Sequence, residues 1–449
     1  MKIKRILVFI MTAILCAGLV GCREEKKDTK KHITLKIKTA PMSLGTITNL
    51  GEAEIYDLFM AAAEKFREQY DRYDVDFEIA RYDFQEEEEQ LVDKRGTDDA
   101  ADIFYAGSQN VPEYAANGWL APLNDMIDEE LRSDIDETIW EQNTIDGKVY
   151  TMPYQQLQST LLVNKAMMEE AGLGQYIPEK DTIAQWSLDE FDVVLHSLKE
   201  SITAENRYVF PMYAANEQGD SHIMTLLRSR GGNLYDDNGR FAVNTPEGIA
   251  ALQWIKTLEE EGIVPKDAEN LGLSDCVNLF NNGQLAILPG DITGLRDASD
   301  SGVEAFALNF PSQDGKGYCT SSTNGFCVFD NGDKDKVRAA KDFIRFIYTD
   351  EELMKYTLGT LPVNHSVIEK FGKDIPMLSA YGGNMANSVD NIRNNQNWQE
   401  VRDVFYVNIQ NLLTGSRAPA EAAEDIDQSC NEALGLECKK ELPKKLRGG

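Results

Sequence analysis

The stretch Asp102-Ile103-Phe104-Tyr105-Ala106-Gly107-Ser108-Gln109 decides the fold class, because a short apolar run passes directly into a loop of small and polar residues. Upstream, residues 33–38 and 75–79 alternate apolar with polar side chains, which predicts two strands. Between these strands, residues 52–70 place apolar side chains on one helical face. Strand, helix, strand and strand in this order predict an α/β fold.

The alternation of helices and strands continues downstream. Ser187 and Glu190 have the spacing of a capping box, and Thr245 can cap a helix that carries Pro246 in its first turn. Further elements are predicted in the same way: helices near residues 246–261 and 334–348, and strands near residues 160–163, 284–288 and 326–329.

The N-terminus has the parts of an export signal. Three basic residues precede an apolar run over residues 6–17, which is shorter than the roughly 20 residues that a bilayer-spanning helix needs. The sequence Leu19-Val20-Gly21-Cys22 then resembles the lipobox of bacterial lipoproteins. This resemblance implies that residues 1–21 are a lipoprotein signal peptide and that Cys22 is acylated. Residues 22–31 are interpreted as a charged, lipidated tether, with an ordinary secretory signal as the alternative.

Charge and length limit the function further. The 449 residues include 45 basic and 75 acidic ones, a net charge of −30, and loss of residues 1–21 removes three basic residues and lowers it to −33. Such a charge repels phosphate backbones, so no nucleic acid partner is expected. A mature chain of this length exceeds what one hydrophobic core normally supports, which predicts two lobes.

The cysteines do not form a disulfide framework. Outside the signal and the lipobox, five remain, an odd number: Cys276, Cys319, Cys327, Cys430 and Cys438. Cys319 and Cys327 flank a turn-like stretch over residues 320–325. The pair either meets across a hairpin or stays as two buried thiols, and the sequence leaves both readings open.

Several short blocks occur in a fixed order along the chain. They are AEKF at 63–66, DIFY at 102–105, YAANGWLAPL at 114–123, GKVYTMPY at 147–154, LVNK at 162–165, AGL at 171–173, WSLDEF at 186–191, FNNGQLAI at 280–287, AAKDFIRFI at 339–347 and LPVN at 361–364. In this order the blocks resemble the family-1 extracellular solute-binding proteins, the sugar-binding components of ABC importers. The resemblance covers nearly the whole mature chain.

This resemblance implies an α/β, two-lobed periplasmic-binding-protein-like fold of type II. Each lobe would have a central sheet flanked by helices, and the ligand cleft would lie between the lobes. The implied segments are residues 32–155 with 300–348 for lobe 1, residues 156–299 with 349–438 for lobe 2, and a basic tail over residues 439–449.

The function implied by the family is capture of a carbohydrate, such as an oligosaccharide, and its delivery to an ABC transporter permease by closure of the cleft. The protein would act as a monomer at the extracytoplasmic face of the bacterial cell membrane, held there through its lipid alone. It would need no cofactor and no metal, and it would catalyse nothing. The resemblance does not name the sugar, and a peptide or a polyamine-like solute stays open.

A sugar site needs aromatic platforms for the C–H faces of the ring and polar groups for its hydroxyls. Tyr105 stands where similar proteins place a stacking aromatic, and Ser108 and Gln109 follow in the loop expected to face the cleft. Ser108 and Gln109 replace the charged residues of the maltose-binding type, so the ligand or its hydrogen bonds differ.

The other expected site residues lie at the lobe crossover and in the second lobe. Tyr154, Gln156 and Gln158 precede the strand near residues 160–163, and alternation points both glutamines the same way. Asp291 occupies a region where relatives often carry a tryptophan, and Trp398 is a candidate substitute for that ring.

Two other functions are weighed against binding. The chain has four histidines and contains no HExxH, GxSxG or GxxxxGK[ST] motif, which argues against several enzyme classes. A lipid-anchored glycoside hydrolase remains an alternative, because two suitably spaced carboxylates leave no sequence signature. A sensory or adhesive sugar-binding protein with the same fold is the second alternative.

Overall fold

The computed structural model describes residues 30–47, 51–83, 86–107, 110–204, 206–313 and 315–436. Its strands are β1 His32–Thr39, β2 Ser43–Ile47, β3 Gly51–Glu54, β4 Asp74–Arg81, β5 Ile103–Gly107, β6 Thr144–Ile145, β7 Lys148–Val149, β8 Met152–Asn164, β9 Ile287–Gly290, β10 Ala305–Leu308, β11 Cys319–Val328, β12 Leu361–Pro362 and β13 Ser388–Val389.

The α-helices span Ile55–Gln69, Val111–Ala116, Glu129–Ser133, Glu137–Gln142, Lys165–Glu170, Leu188–Ser201, Asp220–Ser229, Pro246–Glu260, Leu273–Asn281, Ile292–Asp300, Lys334–Thr349, Glu351–Met354, His365–Phe371, Leu378–Gly382, Trp398–Leu413 and Pro419–Ala433. Shorter turns of 3-10 helix span Asn124–Met126, Gly174–Tyr176, Glu217–Gly219, Ala268–Asn270, Lys355–Gly359, Gly372–Asp374 and Gly383–Asn387, and one π-helical turn spans Glu88–Asp93.

The main sheet has the strand order β10-β8-β11-β5-β1-β4, and β9, β12 and β13 pair with its members. β1 pairs in parallel with both β4 and β5, which confirms the predicted strand-helix-strand start. β11 lies antiparallel between β5 and β8, so a strand from the last third of the chain completes the centre of the sheet.

Strand β8 runs unbroken for 13 residues and takes different partners along its length. Residues 152–159 pair with β11, whereas residues 160–164 pair with β9 and β10. The two halves of β8 contribute side chains to different hydrophobic cores. Tyr154 packs in the first core and Leu161 in the second. A single strand therefore connects the two cores.

The first core includes Leu35, Phe59, Trp140, Phe326 and Phe343, and the second includes Phe191, Phe210, Leu252, Phe310 and Phe405. Each core is covered by helices whose apolar faces point inward, as the 3.6-residue periodicity predicts. These two cores are the largest of four hydrophobic clusters in the described residues, which accords with the length argument that one core would not suffice.

The lobe limits stay a prediction, and residues from both predicted lobes pack in the other core. Strand β10 belongs to the segment assigned to lobe 1, but its residues Phe306 and Leu308 pack in the second core because β10 pairs with β8. Leu353 and Val363 lie in the segment assigned to lobe 2, yet both pack in the first core.

The helix starts predicted from capping residues are confirmed. The Ser187 hydroxyl accepts a hydrogen bond from the Glu190 amide at 3.2 Å, and the Glu190 carboxylate accepts one from the Ser187 amide at 2.8 Å. The Thr245 hydroxyl accepts a bond from the Gly248 amide at 3.1 Å at the start of the helix that begins at Pro246. Satisfied amides at these ends fix where the helices begin.

The stretch at residues 320–325 is not a turn, which corrects the sequence interpretation. It forms the middle of strand β11, and Cys319 and Cys327 lie at positions of that same strand. An extended strand separates the two residues by far more than a disulfide allows. Both thiols are free and buried, as are those of Cys276 and Cys430.

None of the helices in residues 30–436 that the structure describes is both long and apolar enough to cross a bilayer. Within the same described ranges, no group of three or more His, Cys, Asp or Glu side chains is arranged to hold a metal ion.

Candidate functional site

A cavity of about 740 Å³ lies against the middle of strands β8 and β11. Its floor consists of three cross-strand neighbour pairs on one face of this antiparallel pair: Thr320 with Ser159, Ser322 with Leu157, and Asn324 with Gln155. Residues two apart share a face of the sheet, so these side chains project together. The floor therefore offers hydroxyl and amide groups around one leucine.

Gln155 is held in place from below the floor. Its Oε1 atom accepts a hydrogen bond of 2.8 Å from the hydroxyl of Tyr105, and both residues are buried. Because the amide oxygen is occupied, the amide nitrogen is the part of Gln155 that remains to donate toward the cavity. Tyr105 is thus a positioning residue for a floor residue.

Two aromatic rings form part of the walls. Tyr213 and Trp398 both line the cavity and are 5% and 2% exposed. His222 lies against Tyr213, with ring centroids 4.1 Å apart and an angle of 32° between the ring planes. Neither nitrogen of His222 has a hydrogen-bond partner in the described residues, and burial lowers its pKa to about 3.

A buried ion pair lies at one end of the cavity. Arg402 Nε donates to Asp220 Oδ2 at 2.7 Å, Nη2 donates to the Glu217 carbonyl at 3.3 Å, and Nη1 donates to Gln399 at 3.4 Å. All three guanidinium nitrogens are therefore engaged within the protein. Burial raises the pKa of Asp220, while Arg402 opposes that rise.

Two further carboxylates line the cavity on the helix Ile292–Asp300. Asp291 is the N-cap, and its Oδ1 accepts hydrogen bonds from the amides of Thr293 at 2.9 Å and Gly294 at 3.0 Å. Burial raises the pKa of Asp291. Asp297 lies one turn further along, and burial, followed by the nearby charge of Asp291, raises its pKa as well.

A second cavity of about 790 Å³ lies on the other side of this helix and shares Thr293 and Asp297 with the first. Asp300 lines only the second cavity. Three lysines border it, Lys65, Lys355 and Lys370, and each forms an ion pair with a carboxylate. The first cavity is the candidate site, because its floor presents the polar groups of two paired strands.

The structure places two of the aromatic candidates from the sequence outside this cavity. Tyr105 is completely buried, with its ring packed edge-on against Phe326 at 5.2 Å and near Tyr154 at 6.4 Å. Tyr154 is also completely buried and donates its hydroxyl to the Leu353 carbonyl at 2.6 Å. Both tyrosines belong to the first core, since their strands are interior to the sheet, and neither presents a ring face to the cavity.

Gln156 and Gln158 do point the same way, as alternation predicts, but away from the cavity. Gln156 Nε2 donates to Ser321 Oγ at 3.0 Å and contacts Met385 Sδ, while Gln158 Nε2 donates to the Tyr381 carbonyl at 3.0 Å. The cavity instead receives the odd-numbered residues of β8. A shift of one residue along a strand exchanges its faces, so these two glutamines lie on the face opposite the cavity.

Asp291 and Trp398 do line the cavity, so the structure brings these two sequence candidates together. Trp398 starts the helix Trp398–Leu413 and packs into the second core. Ser108, Gln109 and Cys22 lie outside the described residues.

Sequence reasoning missed the floor residues as well as Tyr213, Asp220 and Arg402. The alternation of side chains between the two faces of β8 was predictable from the sequence. Both faces carry polar residues, however, and no feature of the neighbouring sequence indicates which face lines the cavity. Asp220 and Arg402 are 182 positions apart, so no sequence spacing signals their pairing.

Comparison with known proteins places these features in context. Residues 51–354 match the model of the family described as bacterial extracellular solute-binding protein. An arabinooligosaccharide-binding protein of Halalkalibacterium halodurans is 22% identical over 408 residues, 83% of this chain and 86% of that protein. A diacetylchitobiose binding protein of Streptomyces coelicolor is 27% identical over 198 residues, 43% of each chain.

Solved structures establish the fold class. The chain matches a cyclic alpha-maltosyl-1,6-maltose binding protein from Arthrobacter globiformis with a TM-score of 0.73 and 22% identity, covering 90% of this chain and 99% of that one. It matches the sugar-binding protein MalE from Xanthomonas citri with a TM-score of 0.72 and 16% identity, covering 90% and 98%. The type II periplasmic-binding-protein-like fold expected from sequence is thereby confirmed.

Proposed function

Because this chain belongs to the bacterial extracellular solute-binding proteins, we propose that its first cavity captures a carbohydrate for delivery to an ABC transporter permease. The family relation supports solute binding, and the relatives named for arabinooligosaccharides and diacetylchitobiose support a saccharide. These relatives are binding proteins, which supports a role without catalysis.

The floor of the cavity is the observation that carries the proposal. Hydroxyl and amide groups on the paired strands match the hydroxyls of a sugar ring, and Leu157 together with the Tyr213 and Trp398 walls matches its C–H faces. A volume of about 740 Å³ falls within the range of small-molecule sites and has room for more than one sugar ring.

The cavity is lined from the sides of both cores, so a change in the orientation of one lobe relative to the other would change the shape of the cavity. Pro41 and Met42 line it from the side of the first core, and Trp398 lines it from the second. Closure of one part against the other around β8 would enclose the solute, and release would follow at the permease. The protein acts as a monomer in this proposal, since one chain supplies the whole cavity.

The location proposed for the protein is the outer face of the bacterial cell membrane, with Cys22 as the lipidated residue. The lipobox-like Leu19-Val20-Gly21-Cys22 supports this. Cys22→Ala should leave the chain unprocessed or release it from the membrane, and fractionation of cells with metabolic lipid labelling measures the outcome. A Cys22→Ala variant that is processed and retained like the wild type would contradict the anchor.

The binding proposal is tested by calorimetry on the full chain with neutral di- to pentasaccharides. Asn324→Ala removes a floor amide and should weaken binding about tenfold, because a lost hydrogen bond in a desolvated site costs about 1–1.5 kcal/mol. Gln253→Ala, on an exposed turn of the helix Pro246–Glu260, is the matched control and should bind like the wild type.

The outcome separates the three functions weighed from the sequence. Saccharide binding without release of reducing ends supports the binding protein, whereas turnover would identify a glycoside hydrolase. Binding without transport in cells that carry the importer would favour a sensory or adhesive role. No binding to any saccharide would overturn the proposal.

A further inference from the structure

The charges that line the first cavity are strongly unequal. Three carboxylates, Asp220, Asp291 and Asp297, face one cation, Arg402, among the described lining residues. This cation is partly engaged, since three of the five N–H groups of Arg402 donate to protein acceptors and its charge is paired with Asp220. A carboxylate, sulfate or phosphate on a solute would therefore meet, in the described lining, three carboxylates and one cation that is already paired with Asp220.

Helix N-termini are the other common anion sites, and here they are filled. The amides at the start of the helix Ile292–Asp300 donate to the Asp291 carboxylate. At the start of the helix Asp220–Ser229, the Ser221 amide donates to Asp220 Oδ1 at 2.6 Å. The helix Trp398–Leu413 carries Glu400 in its first turn. The positive ends of these three helices thus each have a protein carboxylate beside them.

A positively charged group would instead find carboxylate oxygens that can still accept a hydrogen bond. Both backbone bonds to Asp291 involve Oδ1, so its second oxygen is not used by the helix cap. The Asp297 carboxylate has no hydrogen bond or ion pair within the described part of the chain, and its side is open to both cavities. An ammonium group near these two carboxylates would gain a charge-assisted hydrogen bond.

We propose that this cavity selects saccharides by charge, accepting neutral and, preferentially, amino-substituted forms and rejecting those that carry carboxylate, sulfate or phosphate. The inference rests on the proposed saccharide function and adds the chemical class of the solute. Asp297 is the residue assigned to the preference for an amino group, because its carboxylate is the least engaged of the three.

The test uses the full chain in mild detergent and a panel of α-1,4-, β-1,4- and β-1,3-linked di- to pentasaccharides. Each saccharide is presented in a neutral, a 2-amino and a uronic form at equal length and linkage, and affinities are measured by calorimetry in 0.1 M salt. The amino form of the best-bound saccharide should bind more tightly than the neutral form and about tenfold more tightly than the uronic form.

Two variants on one helix localise the effect. Asp297→Asn should remove most of the advantage of the amino form over the neutral form. Asp300→Asn removes the same charge from the same helix but lines only the second cavity, so its charge preference should equal that of the wild type.

The results distinguish this inference from the function on which it rests. A uronic form that binds as tightly as its neutral and amino counterparts, or an unchanged preference in Asp297→Asn, overturns the charge selection and leaves saccharide binding intact. Absence of binding for every form overturns the saccharide function itself.

Discussion

The hydroxyl of Tyr105 is buried, and it contacts Gln155, a residue of the cavity floor. It donates to Gln155 Oε1 at 2.8 Å and so fixes the orientation of a floor amide. A side chain that is completely buried can in this way influence a ligand it never touches. Tyr154, in the same core, donates instead to the Leu353 carbonyl and has no bond to a floor residue.

Tyr105→Phe should therefore weaken saccharide binding about fivefold, because the loss of one buried hydrogen bond costs about 1 kcal/mol and frees the Gln155 amide. Tyr154→Phe makes the same chemical change in the same core and should leave affinity unchanged. Calorimetry on both variants measures this difference. Equal losses in the two variants would mean that the effect comes from the core as a whole.

His222 makes the stability of the protein depend on pH. Burial lowers its pKa to about 3, below the usual 6.5, so the imidazole is neutral in the folded state. Below about pH 6.5 the unfolded chain binds a proton that the folded chain does not, and stability falls as the pH decreases toward 3. The loss at pH 5 should be about 2 kcal/mol, since each pKa unit corresponds to about 1.4 kcal/mol.

His222→Phe keeps a ring against Tyr213 and removes the titrating group. Urea unfolding at pH 7.5 and pH 5.0 should show a smaller acid-induced loss of stability in this variant than in the wild type. His32→Gln changes an exposed histidine and should retain the wild-type loss. An acid-induced loss as large in His222→Phe as in the wild type would assign the pH dependence to other groups.

At the scale of single elements, the periodicity of apolar residues was sufficient to predict a helix or strand where one face of that element is apolar. Strand β1, the helix Ile55–Gln69 and the helix Lys334–Thr349 were all predicted within three residues at each end. Each buries one apolar face in the first core, and that burial imposes the pattern on the sequence.

Strand β11 was largely missed because neither of its faces is apolar in the middle. Thr320, Ser322 and Asn324 face the cavity, while Thr323 on the other face exchanges hydrogen bonds with Asn143 at 2.8 and 3.0 Å. A strand with polar residues on the face that forms the floor of a site, and also on the opposite face, has the amino-acid composition of a loop. The position of the site was hidden for the same reason.

Gly325 is the position of β11 where a side chain cannot be accommodated. The register with β8 shifts between Asn324 and Gly325, and a Cβ atom at Gly325 would overlap the Met152 carbonyl oxygen. Gly325→Ala should lower the free energy of unfolding by about 3 kcal/mol, because backbone atoms must move to make room. Urea unfolding measures this loss.

Gly174→Ala provides the control for this glycine, since a Cβ there meets nothing within 4 Å. Its free energy of unfolding should stay within about 0.5 kcal/mol of the wild type. If the two alanine variants are equally stable, the close approach of β11 to β8 is not a constraint on the fold.

At the scale of the whole molecule, β8 is shared by two cores that both border the cavity. Small-angle scattering of the full chain should therefore show a smaller radius of gyration when a bound saccharide saturates the site, as the two parts close around it. Asn324→Ala at the same saccharide concentration should give a mixture closer to the free profile. An unchanged profile of the wild type at saturation would indicate a preformed site.

The position of β11 in the sheet also determines how late in synthesis the centre of the sheet can be completed. Asn324 pairs with Gly107, 217 positions earlier, and the same strand separates β5 from β8. At typical synthesis rates, the ribosome needs on the order of tens of seconds to add that much chain. Until β11 follows, the edge of β5 and, once it has been made, the facing edge of β8 have no partner between them, and open strand edges invite pairing with other chains. The newborn chain must therefore be kept apart from its neighbours until residue 328 has emerged.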